Sequence, residues 1–441
     1  MSDVPDTLVS KGFSAYLWGF SAIDAYLGRN IPAKAYILTN ADISDLARCF
    51  EDLRFPGVDL ADAALDRGER TWYFRCFSSE EAPPEAGIFF PAASGQPASF
   101  GILEWRQDWK SGRFYDPGGV YPLLRSLRDG SSRKNGGGDK AGPSRRAEPQ
   151  VPWWKGLNPG ADPCRALMDA ALLLSCYSPG EAGAGGQSGN GGGGEAGGIG
   201  QIFQIEEMAA LFRHFSGSPA PLAEEQRILL AGLLTSPRPD LGLELLKSGG
   251  FLEEFWPELA VLDDVDHSKE FHPEGNVWKH TLETFRYRKT GGGGYDLRLS
   301  LGLLLHDVGK PLAESVRNRR FDRHAELGER QARRFLGRLG FDAALTGDVC
   351  YLVRNHMLPA ALPRLPLART GGIMASPLFP VLLELYRCDE SSSFKGPDGY
   401  YQSSAAYQSY LRYRRNPYRS EDGKKLDRAH IAGMIPGGNK R

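Results

Sequence analysis

Apolar and polar positions repeat with two different periods in the two parts of this chain. Before residue 130, "AKAYILT" (33–39), "RTWYFRCFS" (70–78) and "ASFGILEW" (98–105) are short runs bounded by Pro, Gly or charge. They are rich in β-branched and aromatic residues, which pack well on a pleated, half-buried surface, so they predict strands. Between them, "SAIDAYLG" (21–28) and "DISDLARCFED" (42–52) have helical spacing, the second behind an Asn-Ala-Asp segment suited to capping a helix. After residue 160 the period is helical: "PCRALMDAALLLSCY", "QIEEMAALFRHF", "AEEQRILLAGLL" and "LGLELLKSGGFLEEFW". No convincing strand follows before about residue 415. The pattern predicts an α+β head, a small mixed sheet with helices, followed by an all-α neck and an all-α C-terminal domain.

Glycine marks the joints. "DGSSRKNGGGDKAGPSRRAEP" (129–149) and "SPGEAGAGGQSGNGGGGEAGGIG" (178–200) hold too little apolar surface to order themselves, and "TGGGGY" (290–295) is a shorter case. None has a strand before it and Lys-Ser/Thr after it, so none is a phosphate-cradling P-loop. The joints give a head over 1–128, a flexible linker over 129–150 and a helical neck over 151–262 with a Gly-rich insertion at 178–200. A C-terminal helical domain over 263–415 and a basic tail over 416–441 complete the division.

Charge changes the picture little. Of 441 residues, 24% are charged and the net charge is −1, so any nucleic-acid contact must come from a local patch. No apolar run approaches the roughly eighteen residues of a membrane span, and "MSDVPDTLVSKGFSAYLWGF" lacks the pattern of a signal peptide. The six cysteines are scattered without a C-x-x-C pair, which suits a reducing cytoplasm.

The informative residues are polar groups on apolar helix faces. Three, four and seven residues before His306 stand Leu303, Gly302 and Leu299; before His356 stand Val353, Leu352 and Val349; before Asp389 stand Tyr386, Leu385 and Leu382. For His324 the stripe lies ahead, as Gly328, Ala332, Phe335 and Leu339. One histidine on such a face is usually a satisfied core residue. A carboxylate there costs several kcal/mol unless paired, hydrogen-bonded or metal-bound. With His280 in "NVWKHTLETF", the economical explanation is a shared metal centre. His280, His306, Asp307 and Asp389 can hold one ion, and His324 and His356 supply a second, with Asp307 as bridge. Imidazole-rich sets favour manganese, iron, nickel, cobalt or zinc over magnesium. Such a centre activates water and neutralises phosphoryl charge. Asp307 and Lys310 are then the candidate catalytic residues. Lys310 is expected where Gly309 and Pro311 stop the helix, placed to meet a phosphate; alone it reads equally well as an ordinary helix-end lysine.

The order His280, "HDVGKP", His324, His356, Asp389 resembles the HD superfamily of metal-dependent phosphohydrolases over roughly residues 270 to 395. "EGNVWKHTLE", "HAELGERQARRFLGRLGF", "YLVRNHMLP" and "LYRCDESSS" agree, and His272 fits the lead-in "FHPEGNVWKH". The head resembles the tRNA nucleotidyltransferase and poly(A) polymerase family, which opens with L-V-G-G-x-V-R-D-x-L-L-G-R and then D-x-D-L-x-T. Here "LWGFSAIDAYLGR" keeps Gly19, Asp24, Leu27, Gly28 and Arg29 but has Phe20 and Ile23. "KAYILT" places Lys34 and Tyr36 at both catalytic carboxylate positions, and "QPASFGILEW" loses an Arg and an Asp, while "GRFYDPGGVYPLLRSLR" keeps the frame. The middle helices resemble that family's neck.

The resemblance implies an HD phosphohydrolase acting on a phosphomonoester or 2′,3′-cyclic phosphodiester, with a divalent metal (one or two ions) and an inactive head that binds no nucleotide. Nucleotidyltransferase activity is then not expected. The implied partner is a phosphorylated small molecule, nucleotide or RNA 3′ end. tRNA contact would run through the neck, "VPWWKG" included, and through the basic tail "RYRRNPYRSEDGKKLDRAH". No membrane partner is expected, and the location is cytoplasmic. The alternatives are a tRNA CCA-adding or poly(A)-adding nucleotidyltransferase and a non-enzymatic RNA- or nucleotide-binding regulator.

Overall fold

A computed structural model describes residues 3–56, 61–77, 90–91, 97–98, 101–132, 162–177, 205–212, 219–266, 275–290, 294–314, 323–393, 396–415 and 425. Two compact units are present: Met1–Trp256 with Thr290–Asp296, and Pro257–Lys289 with Leu297–Arg441. The "VPWWKG" segment, the Gly-rich insertion 178–200, His272 and the tail other than Lys425 lie outside the described residues. So does the expected linker beyond Ser132, where the helix Tyr121–Ser132 ends.

The first unit is built on a mixed sheet. Its strands are β1 (Ala15–Trp18), β2 (Lys34–Thr39), β3 (Ala63–Arg67), β4 (Arg70–Cys76), β7 (Arg106–Asp108) and β8 (Phe114–Tyr115), in the order β3-β4-β2-β1-β7-β8. β5 (Phe90–Pro91) and β6 (Pro97–Ala98) form a separate ladder. β2 and β4 run parallel, and the other neighbours are antiparallel. Successive side chains alternate faces. Ala35, Ile37, Trp72 and Phe74 fill one face and are buried. Tyr16, Trp18, Lys34, Tyr36 and Tyr73 share the other by register. Gly19 joins β1 to the helix Phe20–Tyr26 at φ 56, a conformation open to glycine and strained for a side chain.

The neck packs in the same unit. Gly242 on the helix Pro239–Ser248 lies so close to the helix Pro163–Tyr177 that an added Cβ would meet Ser175 Oγ and stand 2.7 Å from the Ala171 carbonyl oxygen. Tyr177 Oη donates to Asp24 Oδ1 at 3.1 Å, and the Arg29 guanidinium sits 4.7 Å from the centre of the Tyr177 ring.

Two expectations need correction, and one helical segment is divided. "ASFGILEW" does not continue as a strand: Gly101–Glu104 is helical, and Asp169 of the neck accepts from Gly101 N at 3.0 Å and Ile102 N at 3.4 Å. A short apolar run has no period that separates strand from helix, so this tertiary cap decides. "LGLELLKSGGFLEEFW" is two helices, Pro239–Ser248 and Phe251–Phe255, broken where Gly250 takes φ 87. The second correction concerns the end of the His306 helix and is given with the site.

The second unit is helical: Val277–Thr284, Leu297–Leu305, His324–Arg338, Ala343–Asn355, Phe379–Ser391 and Asp398–Arg415 are its main helices. Side-chain caps fix two starts, Asn276 Oδ1 accepting from Lys279 N and Asp342 Oδ1 from Leu345 N. The apolar stripes meet inside, with Leu303, Leu352, Leu382, Ala332 and Phe335 fully buried. Among the described residues no helix is long and apolar enough to cross a membrane.

Candidate metal centre

Six polar residues from five segments of the second unit converge. His280 stands on Val277–Thr284, and His324 is the first residue of His324–Arg338, after Arg323 at φ 63. His356 follows Ala343–Asn355, and Asp389 lies on Phe379–Ser391. His306 and Asp307 are not helical. The helix ends at Leu305, and the pair occupies the turn before a short helix that begins at Lys310. The stop therefore falls four residues earlier than the Gly309–Pro311 signal implied, which frees the Asp307 side chain to face neighbours on two sides.

Backbone carbonyls fix the imidazoles. His306 Nδ1 lies 2.8 Å from the Leu303 oxygen and His356 Nδ1 2.7 Å from the Val353 oxygen. A carbonyl only accepts, so each Nδ1 carries the proton and each Nε2 presents a lone pair. His306 Nε2 is buried and makes no hydrogen bond among the described atoms, although Asp307 Oδ2 is 3.2 Å away. His324 Nε2 and His356 Nε2 face one another at 3.1 Å. Asp307 Oδ1 lies 3.6 Å from the former and 3.8 Å from the latter, while Oδ2 is 2.6 Å from Lys310 Nζ. Asp389 Oδ1 is 3.0 Å from His280 Nε2 and 3.9 Å from His306 Nε2. The Asp389 side chain is 22% exposed against 3% for Asp307, so the cluster opens on the Asp389 side.

Burial favours the neutral form of each carboxylate, but the surrounding polar groups outweigh it. His306 and Lys310 hold Asp307 well below the usual carboxylate range, and hydrogen bonding to His280 does the same for Asp389. Burial pushes His356 down to about 4, against the pull of Asp307. Ionised carboxylates beside a neutral imidazole are the protonation states that a cation requires. Two triads, His280–His306–Asp307 and Asp307–His324–His356, each have their ligand atoms within 4.8 Å of one another. The orphaned His306 Nε2 and the facing pair His324–His356 are both satisfied by a cation. The residues present therefore fit a divalent metal.

Ser392 was not legible as a site residue. Its hydroxyl lies 3.4 Å from His280 Nδ1 and donates to the Asp389 carbonyl at 2.6 Å. The signal was its place three residues after Asp389, on the same helix face. In the head, β2 brings Lys34 and Tyr36 to the shared face. Burial lowers the Lys34 pKa, with Asp296 opposing, and pushes the Tyr36 phenol up to about 12.

Comparison with known proteins agrees with the local wording of this unit: residues 277–377 match the HD domain family. The matched segment ends before Asp389. The chain is also homologous to tRNA nucleotidyltransferases. It is 37% identical over 157 residues to the CC-adding tRNA nucleotidyltransferase of Thermus thermophilus, covering 34% of this chain and 36% of that protein. It is 31% identical over 185 residues to the A-adding tRNA nucleotidyltransferase of Deinococcus radiodurans, covering 41% of each. The matches thus span about two-fifths or less of these relatives. A solved Bacillus stearothermophilus CCA-adding enzyme in complex with CTP aligns with 99% of this chain and 87% of its own, at 15% identity and a TM-score of 0.37. The mixed-sheet head and helical HD region are those expected from sequence.

The expected activity is corrected. A phosphohydrolase with an inactive head, for which nucleotidyl transfer is not expected, is contradicted by relatives named for CC and A addition to tRNA. The alternative reading, a tRNA nucleotidyltransferase, is the better supported. The error has a physical source. A convergent ligand set shows that a cation can be held; it does not show which reaction follows.

Proposed function

We propose that this protein serves the addition of nucleotides to tRNA 3′ ends. The observation that carries this reading is the 37% identity to a CC-adding tRNA nucleotidyltransferase. The partners are then tRNA and nucleoside triphosphates, met through the neck and the basic tail, in the cytoplasm.

The same proposal gives the HD unit one or two divalent cations, manganese, iron, nickel, cobalt or zinc in preference to magnesium. His280, His306, Asp307 and Asp389 would hold the first, and His324 and His356 would complete a second with Asp307 between. A bound cation supplies Lewis-acidic charge to phosphate oxygens. Lys310 fixes the Asp307 carboxylate through their 2.6 Å pair.

β2 contributes no carboxylate to transfer. Asp66 and Asp108 share its polar face by register but stand four strand spacings apart, roughly 19 Å, too far to share one ion. Transfer by this chain therefore takes its cation ligands from beyond β2. The test is incorporation of labelled CTP and ATP into tRNA lacking its terminal nucleotides. Incorporation supports the proposal; its absence while tRNA still binds contradicts it.

A further inference from the structure

The helix Asp398–Arg415 lies beyond the segment matched to the HD family, which ends at residue 377. It is nevertheless tied to two of the segments that carry the metal cluster. On the helix Phe379–Ser391 the ties fall near both ends. Tyr407 packs on Phe379 with 4.6 Å between ring centres, and Tyr400 N donates to Glu390 Oε2 at 2.9 Å. The two helices therefore run antiparallel, and the start of the later one lies beside the turn that carries Asp389. Glu390 Oε1 accepts from Tyr386 Oη at 2.6 Å. Tyr386 stands three residues before Asp389 and Glu390 one after it, so this bond spans the turn that presents the ligand. Gly399 permits the approach: an added Cβ would stand 2.5 Å from both Tyr386 Oη and Glu390 Oε1. Capping the first turn of Asp398–Arg415 needs one acceptor. The second oxygen of Glu390 joins that cap to the ligand helix.

A second tie reaches the other half of the cluster. Ser403 is fully buried, and its Oγ donates to the Pro359 carbonyl at 2.6 Å. Pro359 lies three residues after His356, in the short helix Leu358–Ala361. One helix is thus bonded beside Asp389 and just past His356. Asp389 stands with His280 and His306, whereas His356 stands with His324 and Asp307. A shift of this helix moves a ligand in each half. Groups that orient metal ligands govern affinity strongly, because a ligand atom is useful only within about half an ångström of its proper place.

We propose that Asp398–Arg415 is part of the frame of the metal centre, with Glu390 and Ser403 as positioning residues, so that cation occupancy and the seating of this helix are coupled. The inference rests on the cation reading above. The coupling is reciprocal: a cation that fixes Asp389 and His356 also fixes the helix, and a loosened helix lowers cation affinity by the same factor. The basic tail follows this helix in the chain. The cation thereby acquires a task that involves no hydrolysis, the anchoring of the segment that precedes the tail.

The test combines manganese affinity, measured by competition with a chelating dye, and hydrogen–deuterium exchange of the full chain with and without manganese. In the wild type, manganese is expected to slow exchange over 398–415. Glu390→Ala is expected to weaken affinity about ten-fold and to abolish that slowing. Glu390→Gln can still accept from Tyr400 N and donate to Tyr386 Oη, and is expected to restore most of both. Ser403→Ala is expected to weaken affinity in the same way, and carries the test alone if Glu390→Ala does not fold. Ser409→Ala is the control, since its exposed hydroxyl donates to Ala405 of its own helix at 3.0 Å; it is expected to change neither readout. Exchange that ignores manganese, or affinity unchanged in both alanine variants at 390 and 403, overturns the proposal. So does a Glu390→Gln variant as weak as Glu390→Ala, which makes charge rather than placement the cause, or an equal loss in Ser409→Ala. Absence of manganese uptake by the wild type removes the cation reading and this inference with it. Uptake that is indifferent to Glu390 and Ser403 removes the coupling and leaves the cation reading standing.

Discussion

Gly309 and Gly328 touch through their backbones. A Cβ added at Gly309 would collide with the Gly328 amide nitrogen and the His324 carbonyl, and would stand 2.9 Å from Gly328 Cα. This approach sets the start of the His324–Arg338 helix against the turn that carries His306 and Asp307. Gly309→Ala must push the two segments apart, because the obstructing atoms are backbone. We expect a loss of about 1–3 kcal/mol in urea unfolding, together with weaker metal uptake. Unchanged uptake in that variant would show that the glycine pair does not position the cluster.

Metal uptake itself divides the ligands by role. Asp307→Asn removes the charge shared by both triads and should abolish retention of manganese or zinc, read by elemental analysis after gel filtration. Ser392→Ala touches no cation directly and only unfixes His280. It should weaken affinity about ten-fold while leaving stoichiometry unchanged. Equal loss in the two variants would place Ser392 among the ligands instead.

Asp169 gives a pH dependence with a definite sign. Burial pushes its carboxyl up to about 7 in the folded chain, although it accepts from Gly101 N and Ile102 N. Between about pH 4 and pH 7 the unfolded chain has lost this proton and the folded chain keeps it. The folded state then binds more protons, so this group's contribution to stability is present at low pH and is lost as pH rises through 7. Asp169→Asn cannot titrate. The stability gap between wild type and variant should shift against wild type by several kcal/mol from about pH 4 to pH 8. A gap constant across that range would contradict the raised value.

Tyr177→Phe removes the hydroxyl that donates to Asp24, whose carboxyl burial raises to about 6. The buried acceptor loses a partner, so the variant should be about 1–3 kcal/mol less stable. The loss should be smaller at pH 5, where Asp24 is largely protonated. A neutral substitution at pH 8 would mean that water replaces the phenol there.

The sequence carried the helical site far better than the head. His306, His324, His356 and Asp389 could be aimed inward because helical period fixes which residues share a face, and their stripes are buried as expected. What period could not give was the early end of the helix at Leu305 and the Gly309–Gly328 contact, since both depend on a neighbour distant in sequence. β1, β7 and β8 are four, three and two residues long, below the length at which alternation is visible. Gly101–Glu104 became helix because Asp169, 67 positions beyond Ile102, caps it. The activity is not legible for another reason: Lys34 and Tyr36 read as two lost ligands, whereas the relatives are named for CC and A addition to tRNA.

The most direct measurement uses tRNA transcripts ending one, two or three nucleotides short, incubated with the purified chain, CTP or ATP, and magnesium or manganese, then resolved on a sequencing gel. Lengthening of at least one transcript by the expected nucleotide is the predicted result. Transcripts that bind the protein yet keep their length under every combination of nucleotide and metal would contradict the account.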